Sequence, residues 1–188
     1  SVGPINNVIV TECVVKDSHR GFAVRAREGG TISNVLFEKS IVETRAFSES
    51  WWGHGEALHV TASSWDDPNT EWDPSQGNIE RKYEGIVRDI KFSNIQAVSE
   101  AGLLVWAAKS ELIENVEFNQ IKLTMKSESS WPHRIDLRPN PITDFIHSNH
   151  SAIYFHNAKK ISVTDSEISW AQDSRSKYRA ALDIENVD

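Results

Sequence analysis

The chain has 188 residues, 39% of them hydrophobic and 25% charged, with a formal net charge of −7. That length and composition suit a single domain with an ordinary core. Acidic and basic residues are interleaved, so no basic stripe points to a nucleic acid, and no stretch is long and apolar enough to span a bilayer.

Ile5-Asn6-Asn7-Val8-Ile9-Val10-Thr11-Glu12-Cys13-Val14-Val15 alternates apolar and polar residues, the mark of a half-buried strand. The same template returns at Ile32–Val42, Val87–Ile95, Ile113–Ile121 and Lys159–Ile168, and Leu182–Val187 begins a sixth copy. Equivalent positions are 27 residues apart from Val8 to Val35, 26 from Ile90 to Val116 and 26 from Ile161 to Val187, with intervals of 55 and 45 between. A period in that range means stacked repeats, each unable to bury its apolar row alone. The expected fold is all-β: a right-handed parallel β-helix of about seven coils, one domain over residues 1–188.

The Asn or Ser before each central Val, and the Asn, Cys or Ser about five residues after it, fall at expected coil corners. The 55-residue interval is expected to hold one more coil, with strand Ala57–Thr61, and a polar insertion from Ser63 to Glu84. The 45-residue interval holds a second insertion, Ser127–Ser151. Insertions in solenoids become loops on one face, where ligands bind. Repeat strands stand close to both Ser1 and Asp188, with no signal peptide and no polar cap. The chain therefore reads as a piece of a longer β-helix, in contact with missing N-terminal coils. The single cysteine, Cys13, reads as a buried structural thiol.

Five tryptophans, Trp51, Trp52, Trp65, Trp72 and Trp131, lie in polar segments, where they stack on sugars or pin loops to the coil. In Trp51-Trp52-Gly53-His54-Gly55-Glu56 two aromatics, an imidazole and a carboxylate converge around glycines. His54 and Glu56 are weak candidates for a catalytic acid–base pair; the alternative is a turn with Glu56 paired to an arginine. In the segment from Asp17 to Gly30, with His19 and Arg20, the arginines Arg25 and Arg27 share one side of a strand. They suit a uronic acid carboxylate or a ladder of salt bridges with Glu28, Glu43 and Glu56. A third cluster, Trp131–Pro139, offers Arg134, Asp136 and Arg138 to a substrate. Asp66-Asp67 reads as a turn, and Asn149-His150-Ser151 is a formal glycosylation sequon. No metal-ligand spacing or phosphate-binding loop occurs, so no cofactor is expected.

Gly21-Phe22-Ala23-Val24-Arg25-Ala26-Arg27-Glu28-Gly29-Gly30-Thr31-Ile32-Ser33-Asn34-Val35-Leu36-Phe37-Glu38 resembles the late coils of glycoside hydrolase family 28, the polygalacturonases and related pectin-cleaving enzymes. Ile41-Val42-Glu43-Thr44-Arg45, the tryptophan segment and Asp136-Leu137-Arg138-Pro139 are similar to bacterial-type members. The resemblance implies inverting acid/base hydrolysis of a galacturonan- or rhamnogalacturonan-like polysaccharide, outside the cell or in the periplasm. The family's catalytic aspartate motifs do not occur in this chain and are expected upstream of it. Gly53-His54-Gly55 matches the family's histidine motif in letters but lies after the Arg-Ile-Lys-like strand instead of before it. That strand aligns as Ala23-Val24-Arg25, leaving Arg25 as its substrate-binding candidate. The alternative is a non-catalytic carbohydrate-binding or structural β-helix module. The partner expected in either case is an acidic polysaccharide or oligosaccharide, with no nucleic acid or membrane.

Overall fold

The computed structural model describes residues 3–27, 29–65, 83–138, 143, 145–146 and 150–188. The first three strands are β1 (Ile5–Thr11), β2 (Val14–Ser18) and β3 (Arg20–Ala26); then come β4 (Thr31–Thr44), β5 (Glu56–Ala62), β6 (Ser64–Trp65) and β7 (Tyr83–Glu84). They are followed by β8 (Ile86–Ser99), β9 (Gly102–Ala107), β10 (Ile113–Met125), β11 (Ile135–Asp136) and β12 (Phe145–Ile146), then β13 (Ile153–Thr164), β14 (Glu167–Trp170) and β15 (Leu182–Val187). The protein is almost entirely β, and its main sheet is parallel, ordered β1-β4-β8-β10-β13-β9-β5-β3 and curled into a half-barrel.

The sequence template sets the register. Val8, Val35, Ile90, Val116 and Ile161 stand opposite one another along β1, β4, β8, β10 and β13. Asn7, Asn34, Asp89, Asn115 and Lys160, each just before that row, have positive φ, as do Glu12, Lys39, Asn94, Gln120 and Asp165 five residues later. Left-handed backbone suits Asn and Asp better than other side chains, and it turns the chain where the alternation pauses. Beside the second corner, Ser40 Oγ donates to Glu38 O and accepts from Cys13 N (2.7 and 3.1 Å). Ser166 does the same with Thr164 O and Ile121 N (2.8 and 3.0 Å). Cys13 itself is half-buried against the core.

The core is the inside of the curl. A column of rings, Phe22, Phe37, Phe92, Phe118 and Phe155, runs through it with successive centroids 4.8, 5.0, 5.2 and 5.6 Å apart. Three of these rings occupy one register row, where the sheet spacing itself stacks them.

Two expectations about the repeat are corrected by the pairing. Residues Ala57–Thr61 do not form an additional coil: β5 lies between β3 and β9 as the second side of the layer that β4 begins. Leu182–Val187 is not a copy of the Ile161 strand, since Val187 stands opposite Ala158 and β15 extends the β3-β5-β9 side. Alternation alone does not say which side of a repeat a strand belongs to. The described strands consequently stack in five layers, not seven: β1 to β3, β4 with β5, β8 with β9, β10 with the first half of β13, and the second half of β13 with β14 and β15.

The first insertion leaves as the antiparallel pair β6–β7, and residues 66–82 between them lie outside the described residues. The second carries β11 and β12 across the outer face of the sheet, where Ile135 and Leu137 bury Ala101, Leu104 and Trp106 in a separate apolar cluster. A further loop, residues 45–55, links β4 to β5. Among the described residues no helix is long and apolar enough to cross a membrane.

Phe92 is 0% exposed in the middle of the ring column. Phe92→Ala should cost about 3–5 kcal/mol through lost transfer energy and the cavity left behind, read from the shift in urea midpoint at constant slope.

Candidate functional site

Loop 45–55 and the 126–138 segment meet over the β3–β5–β9 side of the sheet. Apart from the short β11, this backbone is irregular, so many of its N–H groups need acceptors other than a strand ladder. Three carboxylates, each at most 2% exposed, supply them. Glu56 accepts from His54 N (3.0 Å) and Asp136 N (2.5 Å). Asp136 accepts from Gly53 N (2.5 Å) and Arg138 N (2.8 Å). Glu100 accepts from Ala46 N, Glu128 N and Ser129 N (2.8, 2.7 and 2.6 Å).

Glycine is required at Gly53, whose φ is 95° and where a Cβ would sit 2.7 Å from His19 O. The carbonyl of Gly55 is fixed in turn by the Thr44 and Ser99 hydroxyls at 2.8 and 2.5 Å.

Arginines complete the charge balance. Arg20 donates through Nε to Glu56 (3.3 Å) and through Nη2 to the Asp136 carbonyl (2.6 Å). Arg138 donates through Nε and Nη2 to the Asp136 carboxylate, both at 3.0 Å, and through Nη2 to Trp51 O at 2.8 Å. Arg25 donates to Arg138 O at 2.5 Å and lies 6.0 Å from the Trp52 ring centroid. Arg134 and Arg138 hold the Phe145 ring at 3.8 and 4.5 Å. Burial works against ionisation of Asp136, but the neighbouring His54 imidazole and the bonds from Arg138 and Gly53 outweigh it and keep the carboxyl well below the usual carboxylate range. Burial, with repulsion from Arg20 and Arg27, lowers Arg25 to about 10.

His54 is 3% exposed. Arg134 Nε donates to its Nε2 at 3.0 Å, so that nitrogen carries no proton and the ring is the Nδ1–H tautomer. Nδ1 points at Asp136 Oδ2 from 3.7 Å, beyond a hydrogen bond. The basic lone pair of His54 is thus occupied by a guanidinium, and both oxygens of Glu56 are occupied by protein donors. In this arrangement the pair is engaged as structure and has no lone pair turned to a substrate.

Of the sequence candidates, Arg20, Arg25, His54, Glu56, Arg134, Asp136 and Arg138 are gathered into this one network. His19 joins at its edge, Nδ1 donating to Gly53 O at 3.0 Å. Arg27 stands just beyond β3, where its charge repels Arg25. Glu56 takes Arg20, an arginine partner of the kind the turn reading of the tryptophan segment expects, instead of the Arg25 of the ladder reading. Trp51 and Trp52 are 68% and 53% exposed, whereas Trp131 is half-buried. Glu28, Trp72, Asp66-Asp67, Pro139 and Asn149 lie outside the described residues.

Sequence reasoning missed Glu100, Arg45, Phe47, His59 and His150. Glu100 had a signal: like Glu56, it is a carboxylate abutting an almost uninterrupted apolar strand. His59 and His150 are buried with both ring nitrogens unpartnered. Burial holds His59 well below its ordinary value and, with repulsion from His133, brings His150 to about 4.

No family model matches the chain, and neither the curated proteins nor the solved structures contain a match.

Asp136→Ala would leave Arg138 and the Gly53 N–H without their buried acceptor. It should cost about 3–5 kcal/mol and increase quenching of loop tryptophan fluorescence by iodide. His150 should make stability depend on pH. Its folded value of about 4 lies below the unfolded 6.5, so the unfolded chain alone takes up a proton between them. Stability is then full above 6.5 and falls by about 3 kcal/mol towards pH 4. His150→Leu should flatten that part of a denaturation series taken from pH 4 to 7.

Proposed function

We propose that the curled parallel sheet is a right-handed parallel β-helix that binds an acidic, pectin-like polysaccharide on loop 45–55. In this reading it is the substrate-binding portion of a polygalacturonase-like inverting glycoside hydrolase working in the extracellular or periplasmic space. The stacked register, the left-handed corners and the ring column support the β-helix.

One observation carries the binding reading: Trp51 and Trp52 stand more than half exposed on a backbone held from behind by buried charge. Large aromatics exposed side by side mark a binding surface. Here the rings are displayed by a rigid support that minimises the entropy lost when a sugar ring stacks on them. The engagement of His54 and Glu56 leaves acid/base chemistry to groups other than this pair. The same engagement favours the second reading, a β-helix module that binds carbohydrate without cutting it.

Calorimetry with oligogalacturonides should give saturable binding. Trp51→Ala and Trp52→Ala should each weaken it roughly three- to tenfold, the worth of one aromatic contact, with unchanged circular dichroism. Absence of binding to acidic and neutral oligosaccharides alike would sink both readings; turnover by the chain abolished in Glu56→Gln would restore the pair to catalysis.

A further inference from the structure

The clasp under the tryptophans uses up the arginines that the sequence offers to a ligand carboxylate. Arg20, Arg25, Arg134 and Arg138 all donate to protein oxygens or to His54. Arg45, at the opening of the same loop, is different. It is exposed, its backbone N–H is tied to Ser18 O at 3.0 Å, and its side chain makes neither a hydrogen bond nor an ion pair among the described residues. Asp17, Glu43 and Glu128 line the cleft at its foot together with Lys126, which is paired to Glu128 at 2.6 Å. The guanidinium forms no ion pair with those acids and lies 4.3 Å from the Phe47 ring centroid.

A guanidinium laid on an aromatic face is held through its π surface, and its in-plane N–H donors stay free. Phe47 meets His19 edge-on at 5.5 Å, and His19 Nδ1 is committed to Gly53 O. In the neutral imidazole the other ring nitrogen of His19 is therefore an acceptor. The loop thus presents one unspent bidentate donor and two exposed indoles, with the His19 imidazole beside it.

We infer that Arg45, oriented by Phe47, and His19 form the subsite that recognises one uronosyl residue, Arg45 taking the carboxylate and His19 a ring hydroxyl. The inference rests on the binding reading above and assigns its charge selectivity to Arg45 instead of Arg25 or Arg27. The acids of the cleft oppose a bound anion, so the selectivity should be moderate.

The test compares an oligogalacturonide with its carboxyl-reduced, neutral counterpart of equal length on the wild type, Arg45→Gln and Arg45→Lys. The wild type should prefer the acidic oligomer, and the preference should shrink in salt. Arg45→Gln should lower affinity for the acidic oligomer on the order of tenfold and leave the neutral one unchanged, with Arg45→Lys between. If Arg45→Gln binds the acidic oligomer like the wild type while the tryptophan variants lose it, the subsite is wrong and the binding reading stands. Equal wild-type affinity for the two oligomers also overturns the subsite, and binding of neither removes both proposals.

Discussion

Acceptance of loop N–H groups by buried carboxylates is the interaction on which the outer face of this protein depends. A parallel stack satisfies its own strands by repetition, but a loop inserted into one layer falls outside that pattern. Glu56, Glu100 and Asp136 take the place of the missing ladder for both long loops. Charged acceptors make stronger bonds than carbonyls, and two oxygens per side chain let one residue serve two segments. At Glu56 and Asp136 the arginines then follow as a requirement, because carboxylates removed from water need compensation close by.

This arrangement separates what is displayed from what supports it. Glu56, Asp136 and His54 are the residues a reader would pick as chemical, and they are the most deeply committed. Trp51, Trp52, Phe47 and Arg45 carry little of the structure and face outward. Breaking a buried pair is costly while trimming an exposed ring is not, so mutations in the two sets should be separable into losses of folding and losses of binding.

Much of the architecture was legible because the repeat is written in its apolar residues. Val8, Val35, Ile90, Val116 and Ile161 were aligned by spacing and meet in space. The errors arose where the pattern is silent. Strands β5 and β15 alternate as any strand does, and only pairing shows that they line the other side of the repeat. At the site, the separate local clusters that hold His54 and Glu56, Asp136, and the arginines were foreseeable from composition. Direction was not: that Arg134 would cap His54 and that Glu100 would reach into two loops depends on contacts between residues far apart in sequence.

A repeat stack ordinarily melts as a chain of nearest neighbours, each layer leaving by itself. Here Arg20 of the first layer reaches Glu56 of the second and the Asp136 carbonyl of the fourth, and Glu100 of the third grips loops from the second and fourth. Tyr178, after β14, lies beside the Glu100 and Lys126 carbonyls at 2.8 and 2.9 Å. These side-chain spans staple layers across their immediate neighbours, so the stack cannot unzip one rung at a time. Its loops, the part of a fold usually free to vary, here tie the layers of the parallel sheet into a single cooperative body.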